Sequence, residues 1–196
     1  MKTEIEAKFL KISIEDIRKR LTDAGATCKQ PMRDMRRVIF RSDDMDTKHA
    51  YVRVRDEGYR VAMTYKQFDA MSLTGAKEIE FTVGDYESAV ALLGAAGLNA
   101  KSVQETKREI WHLSDAEVVI DEWPWIEPFI EIEGPTELSV KQAAKQLQLK
   151  WSNAAFGDIM TAYRAEYPHL GTDPQDMVYN LPIVRLGDPL PDILIK

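Results

Sequence analysis

Charged and apolar side chains take turns from Thr3 to Leu10: Glu4, Glu6 and Lys8 share one side, Ile5, Ala7 and Phe9 the other. A period of two belongs to a β-strand with two different faces. The period then changes. Ser13 reads as a helix N-cap, and Ile14, Ile17 and Leu21 recur at helical spacing until Gly25 ends the run. Further strands are predicted over about 34–41, 50–56, 59–66, 76–83, 106–113, 116–122 and 128–133, each with β-branched or aromatic residues and turn chemistry nearby. A second helix is predicted from the N-cap Asp85 toward Gly97, a third over 138–148 and a fourth over 155–166, ahead of Pro168. The Asp56-Glu57-Gly58 turn joins two strands as a hairpin. Pro168 to Lys196 holds five of the nine prolines and little periodicity, which predicts an extended tail. About eight strands with short connections predict an α+β chain built on a mainly antiparallel barrel with flanking helices.

With 196 residues and 44% hydrophobic content, one sizeable core and one domain are expected. The net charge of -6, from 26 basic and 32 acidic residues, argues against a general nucleic-acid or membrane-surface binder. Cys28 is the only cysteine, so neither an intramolecular disulfide nor a thiolate-rich metal site can form; a small packed hydrophobe is expected there. The N-terminus shows no apolar stretch of signal-peptide type, and the apolar run from Ala89 to Leu98 is too short to span a bilayer, so a cytoplasmic protein is expected.

Alone, the opening strand reads as a solvated sheet face. The pattern recurs: Arg53 and Arg55 flank Val54, Glu78 and Glu80 flank Ile79, and Glu131 and Glu133 flank Ile132. Alternate residues of a strand lie about 6.6–6.8 Å apart on one face, and two carboxylates there repel unless a cation lies between them. A hard divalent ion such as Mg²⁺ or Mn²⁺, which prefers oxygen ligands, supplies that cation. The arginines imply the other half of a site, because their planar forks match phosphate oxygens. Lys66 and Arg108 extend the basic set and Asp121 the acidic one. Seven acids against five bases leave a charge of -2, which two divalent ions reverse to +2. A cavity so built attracts a highly charged anion only when metal is bound.

Glu-x-Glu-x-Lys on the first strand, Arg-x-Arg, a later Lys, Glu-x-Glu, an Arg, an Asp and a closing Glu-x-Glu, in this order over residues 3–133, resembles the CYTH superfamily, or triphosphate tunnel metalloenzymes. The resemblance implies an eight-stranded antiparallel β-barrel, a triphosphate tunnel, whose inward charges bind a triphosphate and one or two Mg²⁺ or Mn²⁺ ions. It implies a CYTH unit over 1–166 and a tail over 167–196. Carried over by motif, Glu4, Glu6, Glu131 and Glu133 are expected as metal ligands, with Asp121 and the Glu78/Glu80 pair serving a second metal or orienting water. Lys8, Arg53, Arg55, Lys66 and Arg108 are expected as phosphate clamps, and Glu4, Glu6, Lys8 and Asp121 as the catalytic set. The implied partner is a small-molecule triphosphate, with no nucleic acid and no membrane; a homodimer is admissible. Two stretches depart from the pattern: Arg36-Arg37-Val38-Ile39-Phe40 stands where many relatives place an acid before a Tyr-Phe pair, though Arg37 could add a phosphate contact, and Trp123-Pro124-Trp125-Ile126-Glu127-Pro128 replaces a glycine-containing turn and is expected to cap one tunnel end.

Other candidates carry less. His49, His112 and His169 are scattered and expected as surface or structural residues. Gly94-Ala95-Ala96-Gly97 lacks the Lys-Ser/Thr of a P-loop and reads as a helix end. Trp111 lies on the strand face opposite Arg108 and is expected in the core, while Arg60 and Thr64 share the Lys66 face. Three functions compete: a metal-dependent triphosphatase acting on inorganic or organic triphosphate, a class IV adenylyl cyclase making cyclic AMP and pyrophosphate from ATP, and a catalytically silent polyphosphate-binding module. The first is preferred, because phosphate clamps are recognisable and base-reading residues are not.

Overall fold

The computed structural model describes residues 1–172 and 176–195. The strands are β1 (Lys2–Thr3), β2 (Glu6–Phe9), β3 (Thr27–Arg41), β4 (Ala50–Asp56), β5 (Val61–Phe68), β6 (Ala76–Val83), β7 (Asn99–Leu113), β8 (Ala116–Glu122), β9 (Phe129–Glu133) and β10 (Ile183–Val184). The helices are α1 (Ile14–Asp23), α2 (Asp43–Thr47), α3 (Tyr86–Ala95), α4 (Glu137–Gln146) and α5 (Met160–Glu166).

The sheet runs β1-β6-β5-β4-β3-β7-β8-β9-β2, with every neighbouring pair on this path antiparallel. Its two ends, β1 and β2, are consecutive pieces of the opening strand, separated only by Glu4 and Ile5. The chain thus leaves β6 and joins β9 within two residues and closes the sheet into a ring. Glu4 N–H donates to Ala76 O at 3.0 Å and Gly134 N–H to Ile5 O at 3.1 Å, one bond to each side of the seam. Counted as one run, β1 and β2 make the eight strands expected; β10 is an addition, parallel to β7.

The hydrophobic core lies outside the ring. Ile17 and Leu21 of α1 and Val140, Ala143 and Ala144 of α4 pack on Ala7 and Phe9 of β2, Val118 and Ile120 of β8, and Ile130 and Ile132 of β9. On the far side Tyr86 and Ala89 of α3 cover Val38, Phe40 and Val54. Each such large side chain contributes about 1.5–3 kcal/mol, and because the apolar faces of β2, β8 and β9 point outward to α1 and α4, their other faces point into the lumen; on β6 the apolar Ile79 and Phe81 are exposed instead. The caps form as expected: Ser13 Oγ accepts from Asp16 N–H at 3.4 Å, and the Asp85 carboxylate from Ser88 N–H at 2.7 Å.

Several boundaries differ from expectation. β3 begins seven residues early, with register shifts on both sides of Pro31, which offers no N–H to the ladder. β7 also begins seven residues early, because Ser102 and Gln104 are buried polar residues rather than the apolar ones that mark a strand. α5 starts at Met160 rather than 155: Ala155 is bridged to Lys8, and Gly157 has φ +111 with no room for a Cβ beside Met71. Cys28, expected to be packed, is exposed at the outer end of β3. The described residues of 167–195 pack on the body: Leu170, Met177, Val178, Val184 and Leu194 join Trp123, Phe129, Met160 and Tyr163 in one cluster. The expectation for 173–175 and 196 lies outside the described residues. Among those described, no helix is long and apolar enough to cross a membrane.

Candidate functional site

Strand order sorts the lumen charges. The acid-bearing strands β9, β1/β2 and β6 are adjacent in the ring, and the arginine-bearing strands β4, β3 and β7 are adjacent on the opposite side. A cavity of about 790 Å³ runs between them, lined on one wall by Glu4, Glu6, Glu78, Glu80, Glu131 and Glu133 and on the other by Arg37, Arg41, Arg53, Arg55 and Arg108. Lys8 and Lys66 face the same space. Of the expected site residues, only Asp121 is absent from this lining.

The acidic wall is crowded. Lys8 Nζ, 3% exposed, lies 2.8 Å from Glu6 Oε1 and 3.1 Å from Glu131 Oε1. Burial works to lower the Lys8 pKa, but Glu131 and Glu6 override it and raise it. Burial works to raise Glu131, but Lys8 and Arg108 hold it well below the usual carboxylate range. Lys66 Nζ sits 2.5 Å from Glu4 Oε2 and 3.9 Å from Glu6 Oε2. Lys66 relieves Glu78 only in part: burial and its contact with Glu4 push it up to about 8. Among the described residues no three His, Cys, Asp or Glu side chains are gathered closely enough to hold an ion alone. Mg²⁺ is ordinarily held by one or two carboxylates, with waters and substrate phosphates completing its shell. Glu4 and Glu78, an oxygen-only pair pressed together, fit that demand.

The crowding predicts a pH effect. Glu78 binds a proton more tightly in the folded than in the unfolded chain, so between about pH 4.5 and 8 the native state holds more protons. Stability of the metal-free protein is therefore expected to fall as pH rises through that window and to level off above it. Melting curves from pH 5 to 9 check this; Glu78→Gln should flatten the slope, and a wild-type curve that rises through the window would refute it.

The basic wall is braced from behind. Glu57, buried and missed by the sequence reading, pairs with Arg55 and lies 2.7 Å from Arg60 Nε. Burial works to raise it, but Arg55 and Arg60 hold it at about 2. It lies just past the end of β4, in the turn to β5, where the sequence reads as turn chemistry. Thr64 Oγ1, on the Lys66 face as expected, receives Arg53 Nη2 at 3.2 Å and donates to Glu80 Oε2 at 2.9 Å. Asp121, expected to serve a second metal or orient water, is 0% exposed and accepts from Arg108 Nε at 2.7 Å and Nη2 at 2.5 Å. Both its oxygens are engaged by Arg108. The same guanidinium reaches Glu131 Oε2 at 3.1 Å.

Four buried N–H donors belonging to residues of this lining have no hydrogen-bond partner among the described residues: Nε of Arg37, Arg41 and Arg53, and Nε1 of Trp123. Buried donors are almost always paired.

The CYTH domain signature matches residues 2–156. The chain belongs to the CYTH domain family. Comparison with curated proteins finds no match. Among solved structures, the CYTH chain is similar to the PH1012 protein of Pyrococcus horikoshii OT3, with 24% identity, TM-score 0.68, and 81% of this chain and 98% of that one covered. It is also similar to an adenylate cyclase candidate of Vibrio parahaemolyticus, with 10% identity, TM-score 0.70, and coverage of 83% and 98%. A third is the adenylyl cyclase candidate HpAC1 of Hippeastrum, described as having a dominant triphosphatase activity, with 13% identity, TM-score 0.57, and coverage of 83% and 96%. At these identities the likeness is one of fold. The CYTH match stops at 156, yet Asp158, Arg164, Met177 and Tyr179 also line the cavity. Arg41 stacks on Tyr179 at 4.6 Å, which ties the C-terminal segment to the basic wall. Trp123, expected to cap one tunnel end, is buried on the cavity wall, and Trp111 packs against the core as expected.

Proposed function

We propose that this CYTH chain is a divalent-metal-dependent triphosphatase that removes the terminal phosphate of inorganic triphosphate or of an organic triphosphate inside the barrel. The division of one lumen into a carboxylate wall and a guanidinium wall carries this reading. The carboxylates call for cations between them, and the unpartnered N–H donors call for a concentrated negative charge; a metal-bound triphosphate answers both. When bound, Mg²⁺ or Mn²⁺ supplies charge neutralisation and Lewis acidity at the phosphate oxygens. The chain supplies alignment. Arg53, Arg55, Arg108 and Lys66 hold the oxygens, Glu57 and Asp121 fix two of those guanidiniums, and Lys8 bridges Glu6 and Glu131. Phosphoryl transfer depends mainly on positioning and charge stabilisation, which such a wall provides. Cyclisation of ATP uses the same grip but needs a placed ribose and base; hydrolysis needs nothing beyond the phosphate clamps. The catalytic unit is placed within 1–166, with the tail supplying part of one wall.

Incubating the protein with triphosphate, thiamine triphosphate and ATP, each with Mg²⁺ or Mn²⁺, and resolving the products tests the proposal. Orthophosphate release is expected. Cyclic AMP with pyrophosphate would move the chain to the cyclases, and tight binding without turnover would make it a polyphosphate-binding module.

A further inference from the structure

Six basic residues of the lumen, Lys8, Arg53, Arg55, Arg60, Lys66 and Arg108, each lie within 4.0 Å of a carboxylate. Arg37 does not. Its side chain is 3% exposed, and among the described residues it makes no ion pair; its guanidinium donates to Thr106 Oγ1, lies 4.8 Å from the Trp123 ring centroid and leaves Nε without a partner. Across the sheet Arg37 stands directly opposite Arg55 on β4 and Gln104 on β7. Asp121, whose field reaches it, gives both oxygens to Arg108. Burial and the neighbouring Arg55, Arg53 and Arg108 all work against its charge. A buried, uncompensated cation weakens a fold unless something else is gained. Here it faces a cavity, at the middle strand of the basic wall and across the ring from Glu4 and Glu6.

We infer that Arg37 is a phosphate-binding residue, left without a counter-ion by the protein so that a polyphosphate supplies one. Thr106 and Trp123 hold its guanidinium plane, and the phosphate it takes is the one lying against Arg55 and Arg108. This rests on the triphosphate reading above and adds a residue and a consequence to it: the protein gives up resting stability for anion affinity at this position.

Arg37→Met and Arg37→Lys are compared with wild type by thermal melting and by calorimetric titration with Mg²⁺ and the non-hydrolysable imidotriphosphate. For Arg37→Met, the ligand-free protein should melt several degrees higher than wild type, while Kd for imidotriphosphate rises roughly 10- to 100-fold, as expected for losing a charge-assisted hydrogen bond. Arg37→Lys should recover part of the affinity, since the charge returns without the fork. Unchanged affinity in Arg37→Met overturns the inference and leaves the triphosphate site standing. A lower melting temperature together with lost affinity marks Arg37 as a strut and also overturns it. Failure of wild type to bind imidotriphosphate overturns this inference and the triphosphate reading together.

Discussion

Glu4→Gln is expected to lower metal-dependent turnover by more than about 100-fold while leaving the barrel folded. Glu4 lies at the seam where the opening strand crosses from β6 to β9, 5% exposed, with its backbone N–H bonded to Ala76. Its side chain meets both Lys66 and Glu78 on the acidic wall. Burial works to raise its pKa, but Lys66 overcomes this and keeps it ionised. Glutamine keeps the shape and removes the charge. Loss of groups that merely support metal ligands commonly costs 10- to 100-fold, so loss of a ligand's charge should cost more. The effect on stability should be small, because Lys66 retains Glu6 at 3.9 Å and the glutamine amide oxygen can still accept from the Glu78 carboxyl. Orthophosphate release over a Mg²⁺ titration, with a melting curve alongside, checks both halves. Full activity at ordinary Mg²⁺ would remove Glu4 from the site.

Asp121→Asn should act in the reverse manner, first on stability and then on substrate binding. The carboxylate is fully buried and gives both oxygens to Arg108. Burial works to lower the Arg108 pKa, but Asp121 and Glu131 overcome it and raise it. Asparagine leaves Arg108 with Glu131 as its remaining ionised partner and points an N–H₂ toward a guanidinium that can only donate. Breaking a buried pair from one side costs about 3–5 kcal/mol, which for a chain of this size lowers Tm by roughly 10 °C. Triphosphate affinity should fall as Arg108 loses its orientation, and Mn²⁺ affinity in the absence of substrate should not change. Weakened Mn²⁺ binding at an unaltered Tm would return Asp121 to the metal ligands.

The two variants separate what was legible in the chain from what was not. Glu4 could be found by reading, because a strand's alternation puts Glu4, Glu6 and Lys8 on one face and the same pattern recurs at 53–55, 78–80 and 131–133. Asp121 could be found but not assigned. Its alternation places it on the Arg108 side of the barrel, and only the pairing of Arg108 with Asp121 across β7 and β8 shows that the acid is consumed by the base. Glu57 was hidden because a residue in a Glu-Gly hairpin reads as turn chemistry, whereas its side chain folds back beneath Arg55. β7 was cut short for a related reason. Ser102 and Gln104 are inside, but a polar interior carries no hydrophobic signal to announce a strand.

By itself the sequence determined the local periods: which segments are strands, where α1 and α3 are capped, and which charges share a face. Those follow from backbone geometry acting over a few residues. The tertiary structure decided the order of strands around the ring. It set β1/β2 between β6 and β9, β3 between β4 and β7, and so one wall of carboxylates opposite one wall of arginines. Long-range pairing fixes that order, and a charge's meaning depends on which distant charge it meets. The opening strand's Glu4 has Lys66 and Glu78 beside it, and Arg37 makes no ion pair among the described residues.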